Sequence, residues 1–174
     1  MRSALPHEGV AVTAAIVVFG FGNPGRGDDG LGPAIIERLD DHLARTARTA
    51  EVETVVDFQP QIEHAADLRG RTLAVFVDAG AGTPEPFTLA RLAPSARFTH
   101  SSHALDPAAL LHVYREAFGA LPPPAYLLCV RGYGFGLGEP LGDGARANLV
   151  TAWEALCTLL DRHRPNRRPP LTAP

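Results

Sequence analysis

Lysine is absent from this sequence: all 16 basic residues are arginine. Walker-type phosphate loops and Schiff-base chemistry both depend on a lysine amine, so both are excluded. Cysteine is nearly as scarce. Cys129 and Cys157 stand in apolar stretches with no C-x-x-C spacing, which leaves them as two reduced, buried thiols of a cytosolic protein. No apolar run approaches the roughly 20 residues of a membrane span, and no basic-then-apolar leader precedes the first strand. The expectation is a cytoplasmic protein that does not enter the membrane. A G-x-S-x-G elbow is missing as well. A Ser-His-Asp hydrolase could be assembled only from Ser102, His103 and Asp78, and an adjacent serine and histidine rarely face one another.

The 174 residues suit one domain with a real core. Hydrophobic content of 45% and charged content of 20% are those of an ordinary globular protein, and Gly 17 with Pro 16 points to many loops. The net charge of −3 is unevenly placed. Four arginines lie within residues 162–174, leaving 12 basic against 19 acidic residues in the remainder. So acidic a body does not suit nucleic-acid binding. Residues 1–161 are read as a single domain and 162–174 as a disordered Arg/Pro-rich tail.

The chain alternates between two periodicities. Strands are expected over 11–19, 51–57, 72–77, 87–92 and 125–131, the fourth close enough to the third to pair with it antiparallel. Helices are expected over 31–47, with Leu31, Ile35, Leu39 and Leu43 inward, over 60–68, after Asp106-Pro107 as far as Gly119, and over 143–161. Together these give an α/β domain of three layers. A five-stranded, mostly parallel twisted sheet with one antiparallel strand is covered by helices on both faces.

The stretch from Ile16 to Gly32 organises the rest. An apolar strand gives way to a bare loop, GFGNPGRG, then to two adjacent acids, Asp28 and Asp29, at a helix start. Asp57 ends the second strand and Asp78 the third. Ligands of open α/β sheets bind outside the carboxyl ends of the strands, so these acids are expected to share one crevice. His103 lies in the loop before the third helix. Carboxylates plus an imidazole suit a borderline divalent ion such as zinc or nickel. A single histidine is few nitrogen ligands for a resident zinc, which favours a transient metal brought by the substrate. Gly20-x-Gly22-x-x-Gly25 matches a dinucleotide fingerprint literally, but Asp28 and Asp29 would repel the pyrophosphate, and Asp57 lies too far downstream.

Three motifs, GFGNPGRGDDGLG after the first strand, VDAG after the third and SSHALDP before a helix, resemble the hydrogenase maturation endopeptidases over roughly residues 15–160. GFGNPG alone also looks like the opening of peptidyl-tRNA hydrolases, but acids stand where their T-R-H-N-like histidine belongs. The resemblance implies a phosphorylase/hydrolase-like fold. It also implies an aspartic-type endopeptidase that trims a C-terminal extension from the nickel-loaded precursor of a nickel–iron hydrogenase large subunit. Carried over position by position, Asp29, Asp78 and His103 are its catalytic and metal-binding residues, and the nickel is carried by the substrate. The family commonly has D-G-G-T after the second strand. Here the run is Asp57-Phe58-Gln59-Pro60, so Asp57 and Gln59 are the residues implied to touch substrate. Asp28 is expected to orient the loop or cap the helix. A monomer is expected, and a non-enzymatic nickel-binding assembly factor is the competing class.

Overall fold

The computed structural model describes residues 13–96 and 105–164. Its elements in chain order are strand β1 (Ile16–Phe21), a 3-10 turn (Gly27–Gly30), helix α1 (Leu31–Arg45), β2 (Val52–Asp57), α2 (His64–Asp67), β3 (Leu73–Gly80), β4 (Phe87–Leu92), α3 (Pro107–Phe118), β5 (Ala125–Arg131) and α4 (Asp143–Arg162). The strands form one five-stranded sheet in the order β2-β1-β3-β5-β4, parallel except for β4. This is the expected fold class.

Inner strands of a parallel sheet bury both faces, which is why IVVF and LAVFV are continuous apolar runs rather than alternating ones. Alternate residues nevertheless go to different layers. Val18, Val75, Val77, Leu128 and Val130 pack under α1 and α4, with Leu31, Ile35, Leu39 and Leu43 of α1 fully inward. Burying each such aliphatic side chain contributes about 1.5–3 kcal/mol. Val17, Phe19, Phe21, Ala74 and Phe76 face the other way, under α2 and α3. Helix α3 starts as its sequence dictates: the Asp106 carboxylate accepts the Ala108 N–H at 2.8 Å and Pro107 fills the first turn.

Several boundaries differ from the sequence reading: among the described residues β1 begins at Ile16 and not before, α1 stops at Arg45, and three other differences bear on the site. Strand β1 continues through Gly20 to Phe21, because a residue with no Cβ is needed where α1 crosses; a side chain there would strike Ile36 and the carbonyl of Gly32. Strand β3 runs two residues past Asp78, so that acid lies within the ladder, opposite Cys129. Only His64–Asp67 is helical in the segment opened by Pro60.

The pairing of β4 is a correction. It lies antiparallel against β5, from Phe87↔Val130 to Leu92↔Ala125, and not against β3. Both edges of β3 are taken by parallel ladders with β1 and β5, so the chain leaving β3 passes the position of β5 and adds β4 at the outer edge. At the other end, α4 runs to Arg162 and the Arg164 guanidinium meets Glu51 at 3.2 Å.

Candidate active site

The parallel register carries chemistry to one edge of the sheet. Asp57, Phe21, Asp78 and Cys129 stand near the carboxyl ends of β2, β1, β3 and β5, on the face covered by α2 and α3. Asp29 comes to the same edge from the 3-10 turn that follows β1. Gly22 makes this approach possible. It sits at φ +129°, outside the range other residues adopt readily, and a Cβ there would overlap the carbonyl oxygen of Asp29. Its N–H donates to the Asp57 carbonyl at 3.1 Å, which ties the loop to the end of β2.

Asp29 is half-buried and its Oδ2 accepts the Asn23 N–H at 2.9 Å. Asp78 Oδ1 accepts the N–H of Ala79 at 2.8 Å. Burial lifts the Asp78 carboxyl and the neighbouring Asp29 charge lifts it further. The Ala79 bond opposes both, and the group ends at about 6 against an ordinary 3.8. Asp29 and Asp78 thus bring two like charges to the same sheet edge, an arrangement a cation would favour. Cys129 lies beside them with its Sγ 2.9 Å from Thr83 Oγ1. Burial pushes its thiol upward, the Thr83 bond opposes, and the Asp78 charge adds to the rise, which makes it a poor nucleophile at neutral pH.

Asp28 has a different task. It is 1% exposed, and its carboxylate accepts three backbone amides from the loop between β5 and α4: Tyr133 N at 2.7 Å, Gly134 N at 3.0 Å and Gly142 N at 2.8 Å. Burial works to raise this carboxyl, but the amide bonds outweigh it and hold it below the ordinary value. Asp57 turns one oxygen to the Phe58 N–H at 2.6 Å and the other to His64 Nε2 at 3.5 Å. Gln59 is half-buried in the same turn. His103, with His100, Ser101 and Ser102, lies outside the described residues. Among the described residues, no three His, Cys, Asp or Glu side chains are grouped to hold a metal ion, so Asp29 and Asp78 stand as a pair.

Sequence reasoning missed His64. The ring is 8% exposed and packs 5.5 Å from Phe19 and 5.6 Å from Phe21. Its Nδ1 accepts the Gln61 N–H at 2.9 Å, which leaves the Nε2 proton directed toward Asp57. The spacing from Asp57 across a proline turn was the available signal.

The fold defines the class first: a three-layer α/β protein with the architecture of the hydrogenase maturation proteases. The NiFe hydrogenase maturation protease HycI from Thermococcus kodakarensis KOD1 superposes with a TM-score of 0.63 at 24% identity, over 87% of this chain and 95% of that one. The hydrogenase maturating endopeptidase HybD from E. coli also gives 0.63, at 20% identity over 84% of this chain and 92% of its own. A hydrogenase 3 maturation protease gives 0.59 at 19% identity, over 83% and 90%. At such identities the likeness establishes the fold. No family model and no curated protein matches the sequence. No described helix is long and apolar enough to cross a membrane.

Proposed function

We propose that this chain is a hydrogenase maturation endopeptidase, which removes a C-terminal extension from the nickel-loaded precursor of a nickel–iron hydrogenase large subunit in the cytoplasm. The observation that carries the reading is the Asp29–Asp78 pair. One carboxylate on the turn after β1 and one on β3 bring two like charges to one sheet edge, an arrangement that a divalent cation would stabilise. The motif resemblance and the fold of the three proteases described above support the same conclusion.

In this scheme the nickel is part of the substrate. Asp29 and Asp78 supply oxygen ligands and His103 a nitrogen ligand to the ion already held by the precursor. Docking on the metal brings the scissile bond to the sheet edge, and that proximity supplies much of the rate. The raised Cys129 thiol argues against a cysteine nucleophile and leaves a water as the attacking group. Asp57 and Gln59, at the turn tied to Gly22, are the residues assigned to contact the precursor chain.

The test is cleavage of a nickel-loaded large-subunit precursor beside a nickel-free control. A C-terminal fragment released only with nickel, and lost in Asp29→Ala and His103→Ala proteins that remain folded, is the expected result. Full activity in either variant would sink the assignment. Nickel-dependent binding without a fragment would identify an assembly factor instead.

A further inference from the structure

We propose that Asp28 is a positioning residue: its carboxylate clamps the loop between β5 and α4 against the turn that carries Asp29, and thereby fixes where the Asp29 carboxylate stands. The inference rests on the metal-reading role given to Asp29 above. Its basis is a two-sided interlock. From the Asp28 side, Oδ2 accepts Tyr133 N and Gly134 N, and Oδ1 accepts Gly142 N. Main-chain bonds run alongside: Gly27 N to Glu139 O at 2.9 Å, Asp28 N to Gly134 O at 2.7 Å and Gly138 N to Gly25 O at 2.7 Å. From the other side, Asn23 N holds the Asp29 carboxylate itself.

Both oxygens of Asp28 are thus engaged by amides, so the group is employed in holding structure and not in binding a cation. Asp28 and Asp29 are consecutive in a four-residue 3-10 turn, and such a turn has little slack. A shift of the clamp therefore moves Asp29 with it. A carboxamide cannot replace the carboxylate here. It offers one acceptor oxygen and an NH2, so at least one of the three amide donors would face another donor.

The experiment compares wild type, Asp28→Asn and Val52→Ala, the last a packing control at the far end of the sheet. Two quantities are read: kcat and KM on a nickel-loaded large-subunit precursor, and amide hydrogen exchange. The expected result for Asp28→Asn is a kcat lowered about 10- to 100-fold with KM within about threefold of wild type, as for a precursor that still docks but holds its scissile bond out of line. The Asn23 amide should lose protection at least about tenfold more than the Val75–Val77 amides of β3, a selectivity absent from Val52→Ala. An unchanged kcat, or protection lost evenly across the sheet, overturns the inference while leaving the endopeptidase reading intact. If wild type cuts no precursor, that reading fails, and selective or even exchange alone decides for or against the clamp. Should Asp28→Asn not fold, Asp28→Ser, a smaller side chain that keeps one acceptor oxygen for the three amides, is read the same way.

Discussion

Replacing Asp78 by asparagine should make the protein more stable at neutral pH. The carboxyl is lifted from 3.8 to about 6 by burial, with the Asp29 charge adding to it. Because the folded group binds its proton more tightly than the unfolded one, stability falls as pH rises from about 3.8 to 6, and the full penalty holds above that. At about 1.36 kcal/mol per pH unit the penalty is about 3 kcal/mol. Asparagine has nearly the same shape, carries no charge to desolvate, and keeps an oxygen for the Ala79 N–H. We therefore expect metal-free Asp78→Asn to gain about 1–3 kcal/mol over wild type in urea unfolding at pH 7.5. At pH 3.5, where the wild-type group is protonated in the native state and largely so when unfolded, the gap should shrink below about 0.5 kcal/mol. A variant less stable than wild type at pH 7.5, or a gap equal at both pH values, would refute the argument that Asp78 is held ionised at a cost.

Three further substitutions test the supports of the site by urea or thermal unfolding. Gly22→Ala should cost about 3 kcal/mol or more, since it combines an unfavourable φ of +129° with overlap on the Asp29 carbonyl; near-neutral stability would show that the turn relaxes freely. His64→Ala removes a ring packed on Phe19 and Phe21 together with the acceptor for Gln61 N, and should cost about 2–4 kcal/mol. A loss below about 0.5 kcal/mol would mean that this imidazole is not part of the core. Asp106→Ala deletes the α3 cap and should cost about 1 kcal/mol, whereas Asp106→Ser should recover most of it.

The sequence made most of the architecture legible because its signals are local. Helical spacing from Leu31 to Leu43 named the buried stripe of α1, Asp106-Pro107 named the start of α3, and AYLLCVR matched β5 residue for residue. What it could not show was competition between partners. A strand following β3 closely in the chain invites a hairpin, but the edges of β3 were already taken by β1 and β5, a fact of the assembled sheet alone. The same limit applied to the acids. Asp29, Asp57 and Asp78 looked equivalent as residues after or at strand ends. The fold couples Asp29 to Asp78, while Asp57 is turned to His64 and its own neighbour's amide. His64 escaped notice because a short helix of His64-Ala65-Ala66-Asp67 carries no apolar period to reveal that its first residue points into the core.

Asp28 and Asp29 show how adjacent, identical side chains come to different duties. Asp28 meets three amide N–H groups, so its charge is solvated by the fold and its carboxyl is held low. Asp29 meets one amide and the field of Asp78, across a sheet edge with no arginine, among the described residues, in ion-pair contact with either acid. Asp78 is partly buried and its carboxylate accepts one amide, so its ionised form carries a desolvation cost that no described cation offsets. Leaving the charge there lowers the stability of the free protein above the titration of Asp78. In the proposed scheme the two acids receive a metal borne by another protein, and the clamp at Asp28 holds Asp29 in place before that ligand comes.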